Sequence, residues 1–331
     1  MGARSVRSRY TAMERTTHAH IREHPDGTVP LRQALQWMAA RYPIAVAVLV
    51  LGVLIGGAPS IYLQSMVAAI GIVFFGLPHG AVDTLIAQKL NLTESPFKLA
   101  AFLALYIGLA GIAVAFWMAV PTVALVVFLL ISAWHFGGDW SPTIMGLDRF
   151  IVGAALLCST TLLHEADVAI VFASLVPTAD AELLAASMFA LACTFLPVAA
   201  CLPFKPEIRS TAPRIPIVAT LVAALALPPL LFFMVYFCWY HSPRHLEESL
   251  TGMRTIPSPR VLRSILGHML FAVPIMAAAS HFASAADHLV QSAWLQFGFI
   301  GLFALTVPHL VLEEIRQVKT RRPQLQRSAH P

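Results

Sequence analysis

The run LAAFLALYIGLAGIAVAFWMAVPTVALVVFLLISAWHF, residues 99–136, contains no Asp, Glu, Lys or Arg and decides the fold class. A membrane-spanning helix needs about 20 consecutive apolar residues, so this run is long enough for one or two crossings. A second uncharged run covers residues 43–70. Neither run alternates apolar and polar residues as the strands of a membrane barrel do, so both are predicted to be helical.

The composition of the whole chain points the same way. Of the 331 residues, 58% are hydrophobic and 12% are charged, proportions far from those of a soluble domain. We therefore expect an all-α, polytopic transmembrane bundle of about eight to ten spanning helices with no soluble domain. The expected location is a cell membrane.

Apolar segments follow one another closely along the chain, and one of them is unusually short. The stretch from Val168 to Val176 is too short for an ordinary span and too apolar for an exposed loop, so we predict that it is re-entrant. The predicted spans are roughly Pro43 to Ala58, Ile61 to Lys89, Phe97 to Met118, Thr122 to Gly137, Phe150 to Leu163, Leu183 to Leu202, Ile215 to Tyr240, Leu262 to Ser280 and Leu289 to Ile315.

Basic residues concentrate in the two tails and the short loops. We read residues 1–42 as a polar cytoplasmic tail with an interfacial turn near Leu31 to Met38, residues 43–315 as the transmembrane domain, and residues 316–331 as a basic tail. Two cytoplasmic tails require an even number of spans. The formal net charge of +5 is thus explained by topology, and no nucleic-acid partner is expected.

Two histidines inside apolar runs are each followed four residues later by an aspartate. They are His79 and Asp83 in GLPHGAVD, residues 76–83, and His135 and Asp139 in AWHFGGD, residues 133–139. Polar residues are costly in lipid and usually face the bundle interior, where they serve a function. At this spacing on a helix, each carboxylate is predicted to orient the imidazole of its own motif.

A third motif, WYHSPRH at residues 239–245, carries His241 and His245 at helical spacing. A pair of histidines four residues apart is a common metal-binding arrangement. Pro243 removes one helical hydrogen bond, so the pair is expected at a helix break. Arg244 stays protonated and is expected to pair with a nearby carboxylate, Asp83, Asp139 or Glu248. Imidazole ligands suit iron, copper, zinc and nickel, and the spacing does not choose among them.

Aromatic side chains crowd the same segments. Simple packing in the bundle is one explanation, and the sharper hypothesis is an apolar tunnel that holds a long, flat hydrocarbon beside the metal. The candidate tunnel residues are Phe75, Trp134, Phe136, Tyr236, Trp239, Tyr240 and His309.

These motifs, together with Thr306-Val307-Pro308-His309, resemble the bacteriorhodopsin-related-protein-like (Brp/Blh) family of membrane β-carotene 15,15'-dioxygenases. The resemblance covers about Leu63 to Leu312. It implies an iron-dependent oxygenase that uses O2 to cleave β-carotene at its central double bond, giving two all-trans-retinal molecules. Residues 43–315 would then be the catalytic domain.

Carried onto this chain, the resemblance implies that Fe(2+) is bound by His79, His135, His241 and His245. Asp83, Asp139 and Arg244 would surround these ligands, the aspartates by the spacing argument above. His309 matches the family but is expected to pack against helices or line the tunnel. The implied partners are β-carotene or a related carotenoid, O2, the lipid bilayer and, as acceptor of the product, a retinal-binding opsin.

Two other classes of protein remain compatible with the sequence. A membrane di-iron hydroxylase or desaturase also uses histidines at helix ends, but it needs more metal-binding residues, and the predicted spans contain no further HxxxH or HxxHH box. A polytopic transporter could instead line an ion or solute path with the same His and Asp residues.

Overall fold

The computed structural model describes residues 29–76, 80–140, 144, 146–201, 214–251, 259–267, 269–270 and 290–328. All regular elements in this part of the chain are helical, which confirms the predicted all-α class. Residues 259–267 are helical, and the remaining helices are α1 (Val29–Gly56), α2 (Ile61–Gly71), α3 (Asp83–Lys89), α4 (Pro96–Ala119), α5 (Pro121–Phe136), α6 (Gly146–Cys158), α7 (Thr161–Ala173), α8 (Thr178–Cys201), α9 (Arg214–Ala226), α10 (Pro229–Tyr236), α11 (Ser242–Thr251) and α12 (Val290–Ser328).

Prolines and serines set several helix starts. Pro96, Pro121 and Pro229 stand in the first turn of α4, α5 and α10, where the missing N–H has no helical acceptor to lose. Ahead of α4, the Ser95 hydroxyl accepts a hydrogen bond from the backbone N–H of Lys98 at 3.2 Å. Such caps satisfy donors that the first turn of a helix leaves open.

Several helices are long and apolar enough to cross a bilayer, so the chain is a multi-pass membrane protein. Among the described residues there are five such segments, or six if the pair α6 and α7, bent by 75°, forms one broken span. The five segments are Pro30–Gly56, Pro96–Ala119, Pro121–Asp139, Thr178–Cys201 and Ala293–Arg316.

This number refers to the described residues, in which two of the predicted long spans are interrupted. The segment Ile61 to Lys89 leaves α-helical geometry in a π turn at Ile72–Gly76, and Ile215 to Tyr240 breaks before Pro229, where α10 begins. The predicted span Leu262 to Ser280 lies largely outside the described residues.

The region from residue 146 to residue 173 also differs from its prediction. The expected span Phe150 to Leu163 ends at Cys158, and most of the segment predicted to be re-entrant belongs to α7, which begins at Thr161. At the bend, the Thr161 hydroxyl donates to the carbonyl of Cys158 at 2.6 Å. Side-chain hydroxyls of this kind satisfy backbone groups that a broken membrane helix frees.

The predicted tail boundaries fall inside helices. Helix α1 starts at Val29 and continues past residue 42, and α12 continues past residue 315 to Ser328. The polar start of α1 is held by tertiary contacts: the Gln36 amide donates to Glu247 of α11 at 3.0 Å. Farther along, Tyr42 is buried and its hydroxyl bonds the hydroxyl of Thr220 at 2.9 Å.

Helices α5 and α6 approach each other through glycines. A Cβ added at Gly153 would collide with the carbonyl oxygen of Ala133, and one at Gly137 with that of Arg149. Small residues at a membrane-helix interface allow this backbone contact. The Arg149 side chain donates from Nε to the carbonyl of Trp134 at 2.8 Å. The end of α5, which carries His135, is therefore fixed against α6.

Candidate metal centre

Histidines from three separated parts of the chain meet inside the bundle. The ring centroid of His135 lies 4.9 Å from that of His241, 4.7 Å from that of His245 and 6.0 Å from that of His309. The His241 and His245 rings are 4.7 Å apart. His135, His241 and His309 are buried. His79, the remaining predicted ligand, lies outside the described residues.

The local backbone around His241 is a π turn, Phe237–His241, followed directly by α11. The N–H of Ser242 bonds the carbonyl of Phe237, five residues earlier. The next residue, Pro243, has no N–H to donate, so the widened turn precedes a position where an α-helical bond is already lost. The predicted helix break thus takes the form of a π turn, and His241 and His245 stand on either side of Pro243.

Asp139 supports one side of the cluster. Its Oδ2 atom lies 2.7 Å from Nδ1 of His241 and accepts a hydrogen bond of 2.6 Å from the Tyr236 hydroxyl. Its other oxygen, Oδ1, is 3.8 Å from Nε2 of His245. Because an ionised carboxylate only accepts hydrogen bonds, Nδ1 of His241 carries the proton and Nε2 carries the lone pair.

Asp83 supports the other side in the same way. Nδ1 of His309 lies 2.9 Å from Oδ1 and 3.1 Å from Oδ2 of Asp83. The hydroxyl of Tyr106 donates to Oδ2 at 2.8 Å. The cluster therefore contains two chains of the same composition, Tyr236–Asp139–His241 and Tyr106–Asp83–His309, one on each side.

Asp139 thus contacts a histidine other than the one that the spacing of four suggested, and the predicted pairing of Asp83 with His79 lies outside the described residues. Helix α5 ends at Phe136 and the chain tightens to a 3₁₀ turn over Gly137–Asp139, so Asp139 does not follow His135 with α-helical geometry and bonds His241 instead. Asp83 begins α3 after a turn at residues 81–82, and its histidine partner among the described residues is His309.

The donor set fits a metal ion. One ligand atom from each of His135, His245 and His309 lies within 4.8 Å of the others, and the same holds for Asp139, His241 and His245. Two nitrogens on opposite sides of a metal, each about 2.1 Å away, are about 4.2 Å apart, so a small contraction would suffice. Histidines that donate their second N–H to a carboxylate are typical of metal sites.

The predicted tunnel residues occupy different environments. Phe136 packs edge-on against the His241 ring, with centroids 4.7 Å apart. Tyr236 is buried and bonded to Asp139, and Tyr240 packs 4.8 Å from the ring of Tyr42. Trp239 donates to the carbonyl of Met38 in α1 at 2.9 Å.

The remaining candidates are Phe75, Trp134 and Arg244. Phe75 and Trp134 are exposed on the bundle surface, and Trp134 lies beside the guanidinium of Arg149. Arg244 pairs with Glu248 at 3.1 Å and donates to the Tyr240 hydroxyl at 2.9 Å. Of the carboxylates considered for Arg244, the described ion pair is with Glu248.

These features define a polytopic membrane protein with a buried histidine cluster that can hold a metal ion. A family model described as beta-carotene 15,15'-dioxygenase matches residues 70–316. The chain therefore belongs to this family of carotenoid-cleaving oxygenases.

A curated relative from uncultured marine bacterium 66A03, named beta-carotene 15,15'-dioxygenase, is 29% identical to this chain over 248 residues. The alignment covers 73% of this chain and 90% of the relative. No solved structure gives a significant match to the chain.

Sequence reasoning missed that Tyr106 donates a hydrogen bond to Asp83 and that His309 lies beside His135 in the cluster. Both signals were present, since each is a polar side chain inside an apolar run, at residues 99–136 and 289–315. Tyr106 has no polar neighbour three or four residues away that would have linked it to the other motifs.

Proposed function

We propose that the chain cleaves β-carotene at its 15,15' double bond with O2, using a bound ferrous ion, and releases two molecules of all-trans-retinal. In this reaction the carbon–carbon double bond breaks, and each of its carbons receives one oxygen atom of O2. The observation that carries the proposal is the cluster of His135, His241, His245 and His309 within the membrane-spanning bundle, in which aspartates hold the rings of His241 and His309.

The proposed ligands of iron are His79, His135, His241 and His245. Ferrous iron, when bound, would supply the electron transfer that lets O2 react with a carbon–carbon double bond. A set of neutral imidazoles suits this metal, although it does not exclude others. The family match supports the reaction, and the described geometry supports convergence of the motifs at residues 135, 241 and 245.

The residues around the cluster would position the metal and keep the site dry. Asp139 and Asp83 accept from the Nδ1 atoms of His241 and His309 and so fix the orientation of both rings. Phe136, Phe237 and Tyr236 surround His241 with aromatic rings. Such a wall excludes water from the reacting double bond.

An apolar groove offers a route for a hydrocarbon from the bilayer. It has a volume of about 490 Å³ and lies between α4 and α12, with Phe97, Ala101, Leu105, Tyr106 and Pro308 among its lining residues. Tyr106 lines the groove and bonds Asp83, which holds His309. The groove therefore reaches Tyr106, one of the residues that support the histidine cluster, as expected for a substrate that arrives from lipid.

The proposed setting is the inner membrane of a bacterium. A carotenoid reaches the site from the bilayer, and retinal leaves into it or passes to a retinal-binding opsin. The relative from a marine bacterium supports a bacterial host.

The test is expression in a bacterium that makes β-carotene. We expect loss of orange colour and formation of about two retinal molecules per β-carotene consumed, only when O2 is supplied. His241→Ala should abolish retinal formation because it removes an imidazole held by Asp139.

The same purified protein separates the alternatives. One iron per chain agrees with the proposal, and two iron ions would support a di-iron hydroxylase or desaturase. Folded wild-type protein that carries iron yet leaves β-carotene intact would refute the proposal. Solute flux in sealed vesicles without O2-dependent retinal would support the transporter.

A further inference from the structure

We infer that His309 is an additional metal-binding imidazole and that Tyr106 and Asp83 hold it in place. The inference rests on the proposed function only in requiring that the cluster binds a metal. It extends the ligand set beyond the four histidines of the three motifs.

The first argument is the distance between possible ligand atoms. Each of His135, His245 and His309 offers one nitrogen, and these nitrogens lie within 4.8 Å of one another. His135 and His245 are proposed ligands for independent reasons, so an ion between them is within reach of His309. A residue that only packed against neighbouring helices would have no reason to present its ring nitrogen there.

The second argument is the orientation of the ring. Both oxygens of Asp83 lie within 3.1 Å of Nδ1 of His309, which places the proton on Nδ1 and the lone pair on Nε2. The two nitrogens of an imidazole point to different sides of the ring. The nitrogen able to bind a metal therefore points away from Asp83.

The third argument is that the same hydrogen-bonded chain of tyrosine, aspartate and histidine occurs twice. Tyr236 donates to Asp139 and Asp139 contacts His241, just as Tyr106 donates to Asp83 and Asp83 contacts His309. Asp83 is 2% exposed and Asp139 is 3% exposed. A buried carboxylate is costly unless its oxygens are satisfied, and here each is satisfied by a tyrosine and a histidine of the cluster.

The experiment measures metal binding without a carotenoid. Detergent-purified wild-type protein, stripped of metal, is titrated with Co²⁺, whose visible absorption reports the number and type of its ligands. We expect His309→Ala to weaken Co²⁺ binding at least tenfold and to change the visible bands. Added imidazole should restore the bands, because it can enter the space left by the side chain.

A second variant covers the case in which His309→Ala does not fold. Tyr106→Phe removes only the hydroxyl bonded to Asp83, and we expect Co²⁺ binding weakened two- to fivefold with a small band shift. Tyr42→Phe is the matched control: it removes a buried hydroxyl bonded to Thr220 and should leave the spectrum unchanged.

The outcomes separate the two proposals. If His309→Ala binds Co²⁺ with wild-type affinity and bands, or if it does not fold and Tyr106→Phe behaves like Tyr42→Phe, the inference is wrong even when the wild type forms retinal. If the variants behave as expected but the iron-loaded wild type forms no retinal, the inference stands and the proposed function fails. A wild type that binds no metal contradicts both.

Discussion

The two carboxylate-supported sides of the histidine cluster are built alike but differ in their surroundings. On the Asp139 side, Tyr236 is 1% exposed and His241 is 0% exposed, with Phe136 and Phe237 against the histidine ring. On the Asp83 side, the Tyr106 ring lines a groove that opens between α4 and α12. Under the proposed function, the Asp139 side would fix the metal and the Asp83 side would lie on the route of the substrate.

The largest effect on metal affinity is expected when either of the two aspartates is replaced. Asp139→Asn should weaken metal binding by about 100-fold and Asp83→Asn by about tenfold, within the range for residues that orient metal-binding histidines. Asp139 should matter more because it contacts His241 and lies 3.8 Å from His245, whereas Asp83 contacts His309 alone among the described histidines. Competition with a chelator of known affinity measures the metal affinity of both variants.

Asp180→Asn is the control for this pair. Asp180 accepts a hydrogen bond from Thr122 at 2.5 Å and belongs to α8, away from the cluster, so its variant should keep wild-type affinity. Equal losses in Asp139→Asn and Asp83→Asn would contradict the proposed division between the two sides.

The sequence predicts the membrane class and three of the segments that meet at the site, because both depend on local patterns. Uncharged runs such as residues 99–136 define spans, and histidines within them are conspicuous. The partner of Asp139 could not be predicted, since the 3₁₀ turn at Gly137–Asp139 changes the local geometry. The link between Tyr106, Asp83 and His309 depends on how α4 and α12 pack, which no spacing in the sequence encodes.

The Asp139 side of the cluster should also depend on the close contact between α5 and α6. Gly153→Ala places a methyl group against the carbonyl of Ala133, and overpacking of this kind costs about 1–3 kcal/mol. We expect a lower melting temperature and weaker metal binding, since His135 lies at the displaced end of α5. Both are measured on the same purified sample.

Gly108→Ala in α4 is the matched change, because an added Cβ there meets nothing within 4 Å. It should keep or slightly raise the melting temperature, as alanine favours helix over glycine. If Gly153→Ala were as stable as Gly108→Ala, the α5–α6 contact would not be what fixes His135.

The smallest effect is expected on the side of the groove. Ala101 lines the groove, so Ala101→Trp should fill part of it and raise the KM for β-carotene about three- to tenfold, roughly 1 kcal/mol, with unchanged metal content. Ala100→Trp adds the same bulk at a position about 100° around α4 that does not line the groove, and should leave KM unchanged. Equal KM values for the two variants would place the substrate's route elsewhere, and loss of metal in Ala101→Trp alone would show that the groove supports the metal site as well.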